Sequence, residues 1–206
     1  MALAFAFGSA GHFVIDWFER WPAAVVATPM AARGAFTLVD HRGRTVTDRN
    51  FHGAFMYVYF GYTFCRDICP TELQSMSEAL DALGLLAKRV QPIFVTIDPE
   101  RDTVAVLADY VANFHPRMVG LTGTPAQVAT VAKAYGIFYR KALSNKPEPG
   151  MERDEDYLMS HTSFVYLRDP EGRHSAAFPA GTAGTTMAKR IGSEIREYDE
   201  KAGRSE

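Results

Sequence analysis

Two hydrophobic periods alternate along this chain. "AFMYVYF" (residues 54–60) and "PIFVTI" (92–97) are unbroken apolar runs, short and rich in aromatic and β-branched side chains. Both predict strands buried on two faces. After each run the apolar positions spread to helical spacing. Leu73, Met76, Leu80 and Leu83 mark one helix, with Pro70 predicted at its N1 position, and Val104, Leu107, Val111 and Phe114 mark a second. Thr124 followed by Pro125 and Gln127 is a capping box that opens a third helix, whose apolar face is Val128, Val131, Ala132 and Tyr135.

Shorter patterns fill the gaps. "AFTLVD" and "RTVTD" around "HRG" predict a hairpin at the domain entrance, and "MVGLTG" and "GIFYRKAL" predict short strands. "SNKPEPGMERDEDY" (144–157) is a polar loop. "HTSFVYL" and "RHSAAF" around "RDPEG" predict a second hairpin, with His161 starting its first arm, and "TTMAKRIGSEIREYDE" predicts a closing helix. This order gives an α/β, thioredoxin-like fold with an additional N-terminal β-hairpin and a late β-hairpin. The expected boundaries are an N-terminal segment at 1–33, the folded domain at 34–198 and a tail at 199–206. In such sheets a site lies beyond the carboxyl ends of the strands. The loop "GYTFCRDICP" (61–70) falls there.

Composition changes this picture little. The 206 residues are 47% hydrophobic with a net charge of -2, enough for one well-filled core and without the basic excess of a nucleic-acid binder. The first fifteen residues carry no formally charged side chain. As a helix they would span roughly 22 Å, against a hydrocarbon core of about 30 Å. They lack the basic start of a signal peptide. Two readings stay open: an amphipathic or poorly ordered segment, or the remnant of a membrane anchor or export signal. "WPAAVVATPMAARG" reads as a linker.

The chemistry lies in the two cysteines, Cys65 and Cys69, which are three residues apart in the same loop. A bridge closing so short a loop restricts the unfolded chain little, so stability is a poor reason for the pair. Redox exchange and metal binding both remain. Both need thiolates, which the following helix N-terminus and Arg66 favour and Asp67 opposes. Two intervening residues are usual in thioredoxin-type reductases; three leave room for an ion between the sulfurs without forbidding a disulfide. A metal needs a further donor. His12, His41, His52, His115 and His174 fall in the N-terminal segment, turns, arms or element ends, where an ordinary surface histidine is the simpler reading. His161 enters its strand beside the cysteine loop. A set of two sulfurs and one nitrogen suits Cu(I), holds Cu(II) with a further weak ligand, and accepts Zn(II). A peroxidase reading is weak, because Ser160, His161 and Thr162 supply no proline at that strand entry.

"YFGYTFCRDICPTEL", "VTIDPERDT", "MVGLTGTPAQV", "AKAYGIFY" and "DEDYLMSHTSFVYLRDPEG", in that order over residues 34–196, resemble the Sco/SenC family. The resemblance implies a thioredoxin-like fold and one copper ion held by Cys65, Cys69 and His161. It implies delivery to the binuclear copper centre in the copper-bearing subunit of cytochrome c oxidase, with other copper chaperones or thiol reductants as further partners. A thiol–disulfide reductase that keeps the acceptor's cysteines reduced is the alternative. The family setting is the bacterial periplasm at the inner membrane, or the mitochondrial intermembrane space, with an N-terminal membrane tether. Phe64 and Arg66 depart from the family's usual histidine and proline beside the ligands. Asp98 and Asp67 are candidates to orient a ligand from behind, against a plainer role in ordering their loops. Met159 is expected to pack rather than ligate. Tyr157 and the acidic run 154–156 are expected to be solvated, with a docking surface for a redox partner as the alternative.

Overall fold

The computed structural model describes residues 35–142 and 157–203. The chain opens on an antiparallel hairpin, β1 (Thr37–Asp40) and β2 (Thr45–Thr47), as the pattern predicts. It continues through β3 (Phe55–Gly61), α1 (Ile68–Leu83), β4 (Val90–Thr96), α2 (Val104–Val111), β5 (Val119–Thr122) and α3 (Pro125–Ala134). After β6 (Tyr139–Lys141) come β7 (Met159–His161), β8 (Phe164–Arg168), β9 (His174–Pro179) and α4 (Gly184–Lys201). One seven-stranded sheet has the order β2-β1-β5-β4-β3-β8-β9. The fold is thioredoxin-like, with the entrance hairpin at one edge and the β8–β9 hairpin at the other.

The apolar runs explain the centre. Every residue of β3 is buried, and it pairs in parallel with β4 and antiparallel with β8. Alternate side chains go to opposite faces. Phe55 and Tyr57 meet α4, through an edge contact with Tyr198 and a hydrogen bond to the Met187 sulfur, while Phe60 packs on Tyr135 at the end of α3. Both faces of the strand are therefore covered, which is why its sequence shows no polar alternation. The α3 capping box forms as predicted, Thr124 taking the Gln127 N–H and the Gln127 side chain returning to the Thr124 N–H.

Three expectations need correction. Pro70 is the third residue of α1 rather than the first, because the helix begins at Ile68 with Cys69 already inside its first turn. His161 does not start the β8 arm. It ends β7, which pairs with β6 in a separate two-stranded ribbon, and Thr162 and Ser163 carry the chain across to β8. Tyr157 is not a solvated loop residue: its hydroxyl is bonded to the buried Asp98. The closing helix α4 forms as predicted, and Asp199 in its last turn is paired with Arg89. The N-terminal segment, His12 and the acidic run 154–156 lie outside the described residues.

Candidate metal centre

The parallel strands β3 and β4 end side by side, and the loop leaving β3 carries Cys65 and runs into the first turn of α1, which carries Cys69. That loop is fastened from below. Asp102, fully buried at the start of the α2 region, accepts the Thr63 N–H at 3.0 Å, the Thr63 hydroxyl at 2.6 Å and the Thr96 hydroxyl at 2.6 Å. Burial raises the Asp102 carboxyl above its ordinary value, and the three donors only partly offset this. Sequence reading missed this residue. Its one signal was the second aspartate of "DPERDT", four residues after the Asp98 that drew attention.

The sulfurs sit differently. Cys69 is buried, on the inner face of the first turn of α1, and Cys65 is half-buried above it; both are free thiols. The Cys69 sulfur lies so close to β3 that a Cβ on Gly61 would stand 2.9 Å from it and 3.0 Å from the rings of Phe94 and Tyr59. Only glycine leaves that space. The Cys65 sulfur occupies the position of a helix cap, accepting the Cys69 N–H at 3.4 Å and the Asp67 N–H. This explains the early start of α1. Asp67 thus orders the loop through its backbone; its side chain is exposed and makes no capping bond.

The Cys69 thiol donates to the Cys65 sulfur, which, with the amide donors and nearby His161, holds Cys65 well below the ordinary 9.0, at about 5. The same bond and burial push Cys69 upward. Reduced, metal-free protein should therefore alkylate at Cys65 with a rate midpoint near pH 5, read by mass spectrometry after a short iodoacetamide pulse. A midpoint close to 9 would mean that this hydrogen bond is absent in solution.

His161 faces the pair. Its Nε2 is 3.8 Å from the Cys69 sulfur, and its Nδ1 is 3.0 Å from the Thr162 carbonyl oxygen. A carbonyl can only accept, so Nδ1 carries a proton there, and Nε2 is the ring nitrogen left on the side of the sulfurs for a metal. The rings of Tyr59 and Tyr62 meet the imidazole edge-on at 6.4 and 6.1 Å. The Tyr59 hydroxyl lies 3.8 Å from the Cys69 sulfur and 3.0 Å from the Ser163 hydroxyl. Tyr62, pushed up to about 12 chiefly by burial, bonds to the Cys65 sulfur.

The donor spacing fits a soft ion. Metal–sulfur and metal–nitrogen bonds of about 2.3 and about 2.0 Å, meeting at roughly 120°, set sulfur and nitrogen about 3.7 Å apart. The Cys69–His161 separation is 3.8 Å. Among the described residues no three His, Cys, Asp or Glu side chains already close a cage. The half-exposed Cys65 is the arm with room to turn inward. Asp98 stands behind the site, bonded to Arg101 at 2.5 Å and to Tyr157 at 2.6 Å. Met159 is partly buried and packs against the core, two residues from His161 on β7. The other described histidines are elsewhere: His41 bonds the Gly120 N–H, His52 pairs with Asp48, His115 accepts the Arg117 N–H, and His174 starts β9. Beside His161 a shallow cavity of about 390 Å³ is rimmed by Phe138, Arg140 and Thr162, and Phe138 is 82% exposed.

A family model described as SCO1/SenC matches residues 26–196. Over 161 residues, 78% of this chain and 59% of the relative, the sequence is 40% identical to "Protein sco1" of Schizosaccharomyces pombe. It is 44% identical to "Protein SCO2 homolog, mitochondrial" of Bos taurus over 68% of this chain and 51% of that protein. The chain thus spans between half and three fifths of the length of these curated relatives. The crystal structure of Arabidopsis thaliana ScoI with copper bound superposes with a TM-score of 0.72 at 36% identity, covering 82% of this chain and all of that one.

Proposed function

The chain belongs to the SCO1/SenC family, and from that premise we propose that it is a copper metallochaperone serving cytochrome c oxidase assembly. Copper is its cargo, held by the thiolates of Cys65 and Cys69 and by Nε2 of His161. The observation that carries this reading is the histidine: its Nδ1 is engaged by the Thr162 carbonyl, and its Nε2 is placed 3.8 Å from the buried sulfur. A dithiol reductase has no need of that arrangement. The copper-bound relative from Arabidopsis thaliana supports the choice of ion. Three soft donors, one of them half-exposed, suit handover by ligand exchange, in which an acceptor's donors replace these one at a time. The exposed Phe138 beside His161 offers such an acceptor an apolar foothold. The acceptor in this reading is the copper-bearing oxidase subunit, in the periplasm or the intermembrane space. Among the described residues no helix is long and apolar enough to cross a membrane, so a tether would belong to other residues.

One observation favours a second role at the same atoms. The accessible, thiolate-prone Cys65 stands over a buried partner, as in dithiol exchange. Cys65 thiolate would attack an acceptor disulfide, forming a mixed disulfide and releasing one acceptor thiolate. Cys69, losing its proton, would then displace the second, leaving a Cys65–Cys69 disulfide and a reduced acceptor. The deciding experiment mixes Cu(I)-loaded protein with the reduced, metal-free copper-bearing domain of the oxidase and follows copper by elemental analysis after separation. Stoichiometric transfer by wild type, lost in His161→Ala, is expected. No transfer, together with reduction of the oxidised domain by wild type and His161→Ala alike, would make reductase the function.

A further inference from the structure

His161 sits on a strand of three residues, outside the main sheet and paired only with the equally short β6. A two-stranded ribbon of that size is not stable by itself. Met159 and Tyr139 pack against the core, and a cluster two residues before β7 adds a polar attachment. The Tyr157 ring lies between the Arg101 guanidinium, 3.7 Å from its centroid, and the Lys141 ammonium at 4.1 Å. Its hydroxyl donates to Asp98 Oδ1 at 2.6 Å, and Arg101 Nε donates to Asp98 Oδ2 at 2.5 Å. The same guanidinium lies 4.6 Å from the centroid of Phe64, the neighbour of Cys65, and 5.9 Å from that of Tyr62. Asp98 is itself fixed: it is buried, its N–H bonds to Thr96 at the end of β4, and its carbonyl takes the amides of Arg101 and Asp102. One cation is thus faced by an aromatic ring from the cysteine loop and another from the segment leading to His161.

We propose that Asp98, Arg101 and Tyr157 form a latch that holds the β6–β7 ribbon against the cysteine loop, making them positioning residues for His161. The inference rests on the three-ligand reading above. The partly shielded cation–aromatic contacts and the bond to a buried carboxylate have the strength for this. The exposed Lys141–Glu100 pair, at 2.9 Å, contributes little. The latch acts on the position of the imidazole, so its effect on copper should pass through His161.

Tyr157→Phe removes one hydroxyl and keeps the ring. A hydrogen bond to a charged acceptor is worth about tenfold or more in an equilibrium, so anaerobic Cu(I) competition titration should show roughly a fivefold to tenfold weaker site. In the His161→Ala background the same change should have no further effect. Arg101→Met should repeat the pattern with a larger loss of affinity. Wild-type affinity in both single variants, or an equal loss in the His161→Ala background, would overturn the latch alone. Wild-type affinity in His161→Ala itself would overturn the three-ligand reading and the latch with it.

Discussion

Reduced protein is expected to bind one equivalent of Cu(I) tightly in an anaerobic competition titration, and His161→Ala to bind it at least 100-fold more weakly. The size follows from what the histidine supplies. Losing a group that merely supports a ligand costs about 10–100-fold, and losing the ligand itself costs more. The alanine variant leaves two sulfurs and removes the nitrogen donor that stands 3.8 Å from one of them. The fully oxidised protein should bind no copper at this site, because a disulfide offers no thiolates. Equal affinity in the oxidised and reduced states would mean that the ion is held elsewhere. Equal affinity in wild type and His161→Ala would leave the dithiol alone as the working element.

The second large effect is on stability. Asp102→Ala should destabilise the fold by about 3 kcal/mol or more, because it strips the Thr63 N–H and two threonine hydroxyls of their acceptor inside the protein. With urea slopes of roughly 1–3 kcal/mol per molar, the unfolding midpoint should fall by more than about 1 M. Asp102→Asn separates geometry from charge. Its oxygen can take the two bonds now made to Oδ2, its amide can donate to the Thr63 hydroxyl, and the cost of burying a charge is removed. It should therefore lie within about 1 kcal/mol of wild type. A loss below 1 kcal/mol for Asp102→Ala would mean that the cysteine loop is not fastened there.

The local pattern was enough to read the sheet and helices. A strand covered on both faces shows no polar alternation, and "AFMYVYF" and "PIFVTI" show none. A capping box uses residues three apart, so Thr124 and Gln127 announce α3 without any long-range contact. The cysteine pair was legible for the same reason, since only three residues separate the two thiols. His161 stood out by its place at a strand entry beside the cysteine loop, and the resemblance to a family, carried by motifs spread over residues 34–196, joined it to the pair as a ligand.

What the tertiary structure decided is everything that joins distant segments. Asp102 reaches Thr63 across 39 positions and Tyr157 reaches Asp98 across 59, and no periodicity encodes either meeting. Sequence alone made Tyr157 a solvated loop residue because its neighbours are polar; in the fold its ring covers a guanidinium and its hydroxyl meets a buried carboxylate. It placed His161 at the start of β8 because "HTSFVYL" reads as one run, whereas the imidazole needs the break at Thr162 to turn its ring toward the sulfurs. Local propensity specifies which residues form each element. The site belongs to the packing, because a donor 92 positions from Cys69 comes within 3.8 Å only when the whole sheet has formed.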